Sequence, residues 1–495
     1  METRLNDVFA QRGKHLVRAH PVGQHGFIDS QRMGMDVFAA MDPDAPVVVA
    51  EAVWQFSHHV LAGLRSHRGP ILTVANWSGA APGLVGLLNL NGSLTKMGVT
   101  YSTLWSKNFD DEFFLSKLDE WLATGAVQHD SSHVRGFVGA GADEEALGQA
   151  LAAEVRRNKA IFGIFDEGCM GMFNAILDDH MLNAAGIYKE RLSQAALVAE
   201  MQTVSEAEAR EVYDWLKRRG MKFSFGTDGA EQLVEEHTLD QCRMYIAAMR
   251  IADRFSCDAI GIQYQLGLAD MTASSDLAEG LFNNPDRPPV FDAAGRELYA
   301  GEALPHFNEV DEGAGLDAFV THRVWRAMGM DPSTTLHDVR YGEEYDGEFV
   351  WVFLISGAAP ASHFEGGYAG ASSDRQPPMY FRKGGGSLKG VSRAGAIHWS
   401  RVYVQDGGLH CDMGLGMARQ LPPEETERRW HMTTPAWPIM HGVLTGVSRD
   451  QLMGRHKSNH LNVVYATDSE SAQRGMEAKA VMLRELGVKV HFCGV

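Results

Sequence analysis

Three polar residues stand where a chain presents side chains for chemistry, at strand ends and in turns. Glu309, in PHFNEVDEGAG, follows an apolar turn and precedes the helical run LDAFVTHRVWRAMGM. Asp338, in LHDVRYG, ends a short segment after that helix, and His460, in KSNHLNVVYA, stands immediately before a strand. Two carboxylates and an imidazole suit a divalent ion of intermediate hardness such as Mn²⁺. Only three protein ligands leave positions open for water or for two adjacent sugar oxygens. Each residue also has an ordinary alternative: carboxylates mostly sit on solvated faces, and a lone histidine is mostly a hydrogen-bonded structural group. The three segments lie far apart, so spacing alone does not bring them together.

Other residues invite the same weighing. DEGCMGMFNA follows a strand and precedes a helix, but its glycines do not make GxGxxG, and no GxxxxGK[ST] occurs, so a tight strand-to-helix turn is the better reading. Asp166-Glu167 ends a strand where α/β folds put ligands, against a simple preference for negative charge at a helix start. His58-His59 lies in an amphipathic helix and reads as surface. His456 and His460 precede a strand, so their i, i+4 spacing carries no helical meaning. EEYDGE at 343–348 reads as a solvated turn.

The elements that must position these residues follow two textures. VVVAEAV then HHVLAGLRSH, and PILTVANW then LVGLLNLNGSLTKMG, read as β-α-β-α, the pattern of a parallel sheet wrapped by helices. A second such block begins at AIFGIFDEGCMGMFNAI. It continues through SEAEAREVYDWLKRRG, opened by a Ser-x-x-Glu capping signal, and LDQCRMYIAAMRIADRF, with CDAIGIQYQ as a buried strand. NNPDRPPVFDAAGREL reads as a connecting loop. Beyond about residue 345 short β-like runs such as GEFVWVFLISG and AIHWSRVYVQDGGLHCDMG alternate with Gly/Ser/Pro stretches, as in an antiparallel or barrel-like β domain. HLNVVYATD, SAQRGMEAKAVMLRELG and VKVHFCGV close the chain as strand, helix and strand. GGGSLKG reads as a loop within the β region.

Composition narrows the partners. The chain has 495 residues, 45% hydrophobic and 22% charged, as in an ordinary globular protein of roughly three domains. A formal net charge of −18 argues against nucleic acid or an anionic membrane, which bind through Lys/Arg surfaces. No long apolar run is present to span a bilayer, and the N-terminal residues lack the apolar stretch of a signal peptide. Five cysteines, at 169, 242, 257, 411 and 493, never form a CxxC pair; this argues against a disulfide framework and a structural zinc site, and fits a cytoplasmic protein.

Taken in order, the segments resemble the L-fucose isomerase and L-arabinose isomerase family. NEVDEGAGLDAF is similar to the family's Glu, a second acid, then small residues opening a helix. DVR in LHDVRYG resembles its Asp-Val-Arg ligand segment, and LISGAAP the strand and turn that follow. MHGVLTGVSRDQLMGRHKSNHLNVVYA resembles its Leu-Thr-Gly segment leading to an Asn-His ligand. Gln31-Arg32-Met33-Gly34, MGMFNAILDDHMLNAAGI and CDAIGIQYQ extend the likeness over most of the chain. The chain departs from that family in being shorter than a typical L-fucose isomerase, in LISGAAPASHFEG after the turn, and around Trp437 and His441.

The resemblance implies Glu309, Asp338 and His460 as metal ligands. It implies two doubly wound, Rossmann-like α/β domains (1–158 and 159–328) and a C-terminal β-barrel domain (329–495), assembled as trimers or hexamers. The activity it implies is Mn²⁺-dependent aldose–ketose isomerisation through an enediolate, with Glu309 and Asp338 as the acid/base pair. Gln265 and Asn459 are the candidates for substrate hydroxyls, and Trp437 for stacking on the sugar. Two other outcomes stay open at this point: epimerisation or lyase chemistry on a polyol-like substrate, and a non-catalytic sugar-binding homologue.

Overall fold

A computed structural model describes residues 1–23 and 25–495, with the side chain of Cys169 also outside the described residues. The protein is mixed α/β and contains several sheets. The first is parallel, in the order β1 (Val47–Glu51), β2 (Ile71–Asn76), β3 (Ser102–Ser106). ILTVAN and STLWS are buried almost throughout, as uninterrupted apolar strands covered on both faces must be. Helices His58–Ser66 and Gly83–Lys96 make the two crossovers. Both step in the same direction, so this three-stranded sheet lacks the reversal of the doubly wound sheet that the resemblance implies. Strand order depends on long-range packing that hydrophobic periodicity does not encode.

Strand β4 (Val134–Gly136) and helix Ala142–Asn158 leave the first sheet and pack with C-terminal elements. A second parallel sheet then forms from β5 (Ala160–Phe165), β6 (Ile187–Leu192) and, after the two-residue strand β7 (Lys222–Phe223), β8 (Ala259–Ile262). Its order is β6-β5-β8, so the winding reverses at β5 and opens a crevice beyond the carboxyl ends of β5 and β8. The expected capping box is present, with Ser205 and Glu208 serving each other's backbone N–H at the start of helix Glu206–Arg218.

The C-terminal strands are β9 (Thr334–Tyr345), β10 (Glu348–Leu354), β11 (Ser372–Ser373), β12 (Gly395–Gln405), β13 (Gly408–Arg419), β14 (Ile439–Leu444), β15 (His460–Tyr465) and β16 (Lys489–Cys493). Six of them pair antiparallel in a closed ring, β12-β15-β9-β10-β14-β13 and back to β12, while β16 and β4 extend the sheet from β13. Two hairpins of the ring turn on Asp-Gly. Asp346 and Gly347 have φ of 49° and 81°, and Asp406 and Gly407 have 52° and 72°, the paired positive φ of a two-residue turn that matches strand twist. Within EEYDGE only Asp346-Gly347 form the turn, while Glu343–Tyr345 end β9 and Glu348 opens β10.

Helix Glu312–Ala327 packs on β12, β15 and helix Ser469–Glu485. A fully buried ion pair locks it there: Lys479 Nζ lies 2.5 Å from Asp317 Oδ1 and donates to Ser400 Oγ at 2.6 Å. Helix Gly83–Lys96 also touches β9 and β12, which brings the first sheet against the ring. Cys242, Cys257, Cys411 and Cys493 are buried and unpaired. Among the described residues no helix is long and apolar enough to cross a membrane.

Candidate active site

Sheet register supplies half of the site. His460 opens β15 and pairs directly with Asp338 on β9, so the two side chains emerge on one face as cross-strand neighbours. Glu309 arrives from the second sheet. Residues 305–307 run alongside β8, with Ile260 N–H donating to Pro305 O and Phe307 N–H to Ile260 O, at 2.9 and 3.0 Å. The chain then breaks sharply at the carboxyl end of that sheet. Glu309 and Val310 have φ of 57° and 53°, a left-handed conformation that is an outlier for a β-branched residue. Met170, across the crevice, is also left-handed at 29°. Backbone strain of this kind persists where surrounding structure enforces it, and it clusters at functional sites.

The three segments converge. His460 Nε2 lies 3.4 Å from Asp338 Oδ1 and 3.8 Å from Glu309 Oε2. Two donors that each sit about 2.1 Å from a shared ion are roughly 3–4 Å apart, a range that each of these two pairs meets taken singly. Among the described residues no group of three or more His, Cys, Asp or Glu side chains is placed to hold a metal ion. The donor set nevertheless fits Mn²⁺ in type, two carboxylate oxygens and one imidazole nitrogen.

The other imidazole nitrogen is held by a residue the sequence reading left unassigned. His460 Nδ1 lies 2.7 Å from Asp311 Oδ2, in the pattern by which a carboxylate orients a ligating histidine. Asp311 caps helix Glu312–Ala327 by accepting from Ala314 N–H at 3.0 Å, and it accepts from Arg401 Nη1 at 2.6 Å. Both Asp311 and Arg401 are buried. Burial pushes the Asp311 carboxyl up, but Arg401 and His460 outweigh it and hold the group well below the usual carboxylate range. Burial likewise opposes charge on His460, yet hydrogen bonds to Asp311 and Asp338 raise it to about 10. The imidazolium proton thus faces the carboxylates where an ion would bind, and ion binding must displace it. The local signal for Asp311 was the second acid in NEVDEG, directly before a helix.

Glu309, Asp338, Gln265, Asn459 and Trp437 all line one cleft of about 50 Å³, together with Trp54, Val85, Arg340, Ser356 and Tyr380. His460 lies behind its wall, 2% exposed. Asn459 Nδ2 donates to Asp338 Oδ1 at 3.3 Å, while its Oδ1 and the Oε1 of Gln265 have no protein partner. Trp437 Nε1 donates to Gln376 Oε1 at 2.7 Å, which fixes the indole at the cleft wall. Gln376 is seated over Gly357, where φ is +79° and an added Cβ would lie 1.6 Å from Gln376 Nε2. Beneath the floor, Glu279 is pushed up to about 8, first by burial and then by the charge of Glu309, and Asp276 is raised by burial and by both glutamates.

The remaining candidates fall elsewhere. Asp166 accepts from Gln194 N–H at 3.2 Å and Glu167 pairs with Lys189 and Arg191 at 3.4 and 3.2 Å, so neither lines the cleft. His456 is committed to the His460 carbonyl at 2.9 Å, and His58 and His59 pack edge-to-face on each other. A larger, more open groove of about 480 Å³ lies between residues 95–103, 127–131 and 454–457. Its His129 is stacked on Trp105 and its Arg455 is paired with Asp412 at 2.7 Å, so the converging chemistry belongs to the smaller cleft.

No protein-family model matches this chain, and no curated protein matches it.

Proposed function

We propose that this protein is a metal-dependent aldose–ketose isomerase acting on a pentose, 6-deoxyhexose or related sugar. The observation that carries this reading is the approach of Glu309 and Asp338 to His460 Nε2, at 3.8 and 3.4 Å, at the wall of a cleft. The cleft's other walls, an indole and amides with unpartnered oxygens, match the apolar faces and hydroxyl donors of a sugar.

Glu309, Asp338 and His460 would hold the ion, with Asp311 setting the histidine tautomer. A bound divalent ion such as Mn²⁺ supplies a Lewis acid that polarises the sugar carbonyl. The chain's own work is proton transfer. A carboxylate of the Glu309/Asp338 pair takes the proton from the hydroxyl-bearing carbon, and the C–H electrons become the enediolate double bond. The proton is returned to the neighbouring carbon while the hydroxyl proton passes from O2 to O1, so aldose becomes ketose with no external redox partner. Gln265 and Asn459 accept from substrate hydroxyls, and Trp437 packs on an apolar sugar face. In this reading the chain divides into two α/β domains and a barrel domain, at 158 and 328, and works in the cytoplasm as a trimer or hexamer.

The test is to incubate the purified protein with a panel of aldoses and ketoses, with and without Mn²⁺, in D₂O. Mn²⁺-dependent interconversion with deuterium entering at C1 or C2, lost in Glu309→Gln, supports the reading. Ion binding without conversion of any sugar overturns isomerisation; failure to bind any divalent ion overturns the metal site as well.

A further inference from the structure

Four arginines are buried: Arg287, Arg340, Arg401 and Arg429. Three are accounted for. Arg287 donates to the carbonyls of Asn284, Tyr299 and Glu302, Arg401 pairs with Asp311 at 2.6 Å, and Arg429 pairs with Glu425 at 2.7 Å. Arg340 differs. It is 6% exposed, its Nε donates to Gly79 O at 3.1 Å, and among the described residues it makes no ion pair, as Arg287 makes none, but lacks that residue's several carbonyl acceptors. It is also the one of the four that lines the cleft. The charge of Asp338 favours it from beyond ion-pair distance, which leaves the buried guanidinium without a direct ionic partner, so one is to be sought in what the cleft binds.

Its position on β9 narrows that partner. Asp338 and Arg340 are two apart and both line the cleft. Between them the ladder is irregular: Phe353 of β10 faces Val339 and the next residue, Val352, faces Tyr341. Arg340 is therefore the extra residue of a β-bulge, a device that re-aims a side chain next to active sites. Once a divalent ion cancels the charges of Glu309 and Asp338, Arg340 leaves one positive charge in the cleft beside the reacting oxygens. A neutral sugar offers no counter-charge in its ground state. The charge arises when the C–H bond breaks, the proton passes to a carboxylate, and the electron pair delocalises onto the former carbonyl oxygen.

We infer that Arg340 is a further catalytic residue, whose guanidinium stabilises the negative charge that develops on the enediolate oxygens. This rests on the isomerase reading of the cleft. Stabilisation confined to the transition state acts on kcat and leaves ground-state binding nearly untouched. The partner chemistry is thus a neutral polyhydroxylated substrate that becomes monoanionic only during reaction.

The experiment compares wild type, Arg340→Lys and Arg340→Gln, each checked for unchanged Mn²⁺ affinity. Two readouts are taken: kcat and KM on the converted sugar, and binding of two probes followed by Trp fluorescence. The probes are the alditol of the sugar and its aldonohydroxamate, an ionised mimic of the enediolate. Arg340→Gln is expected to lower kcat on the order of 100-fold with KM within about 3-fold. It should weaken hydroxamate by a similar factor while alditol affinity holds, with Arg340→Lys intermediate. A kcat retained within about 3-fold, or equal loss of both probes, overturns the inference. If wild type converts no sugar, the isomerase reading fails, and an unchanged hydroxamate-to-alditol ratio in Arg340→Gln overturns the role of Arg340 independently.

Discussion

Asp311→Asn removes one negative charge from a buried chain of three groups and leaves the volume almost unchanged. Asp311 is wholly buried and accepts from His460 at 2.7 Å, Arg401 at 2.6 Å and Ala314 N–H at 3.0 Å. Asparagine keeps the helix cap, since its carbonyl can still accept from Ala314. What is lost is the counter-charge of Arg401, which is 1% exposed and whose Nε and Nη2 already lack partners. Removing one partner of a buried ion pair costs about 3–5 kcal/mol. Losing the acceptor that orients a ligating histidine costs about 10–100-fold in metal affinity. Urea unfolding should show the lower stability at unchanged m-value, and Mn²⁺ titration the weaker binding. The double variant with Arg401→Met should lose less than the two singles together, because each single strands the other group. The pH dependence has a definite sign. The folded carboxyl is depressed, so its contribution is complete above the ordinary carboxylate range and disappears as pH falls. Asp311→Asn should therefore flatten the acid limb of wild-type stability. An Asp311→Asn protein within about 1 kcal/mol of wild type that binds Mn²⁺ equally well would refute this chain of reasoning.

Other perturbations read other parts of the structure. Glu51 is buried at the end of β1 with no partner for Oε1, and burial raises it from 4.5 to about 8. Its folded form binds the proton more tightly than the unfolded chain, so stability falls as pH rises from about 4.5 to about 8. At pH 7, 2.5 units above 4.5, the penalty is roughly 3 kcal/mol. Glu51→Gln should be more stable by up to that amount in chemical denaturation, with a shallower slope between pH 5 and 8; Glu279, raised for the same reason, sustains the remainder. A slope identical to wild type would show that Glu51 is not held protonated. Gly357→Ala forces a φ of +79° on a residue with a Cβ 1.6 Å from Gln376 Nε2. A loss of about 1–3 kcal/mol in thermal unfolding, with altered fluorescence from Trp437, is expected; a wild-type melting temperature would contradict it.

Much of this was legible in the residues because it is local. The Asp-Gly pairs at 346–347 and 406–407 specify hairpins, SEAE a capping box, and the apolar runs ILTVAN and AIFGIF buried parallel strands. The three ligand candidates could be named from their positions at strand ends, yet their meeting depends on the pairing of His460 with Asp338 and on residues 305–307 running beside β8. Neither is a local property. The same holds for what was missed. The order of the first sheet, the departure of β4 to pair with β16, and the bulge that aims Arg340 all arise from contacts between distant segments. Trp54, Val85 and Tyr380 carry no local signal, because segments from three parts of the chain bring them to one cleft.

The claim on which the rest depends is that Glu309, Asp338 and His460 hold one divalent ion. Titration of the purified protein with Mn²⁺, followed by the loss of the free-ion EPR signal, tests it directly. The account predicts one ion bound per chain in the wild type and no measurable binding in Glu309→Gln, Asp338→Asn or His460→Gln. A wild type that leaves the signal of free Mn²⁺ unchanged, or single variants that bind as the wild type does, would contradict it.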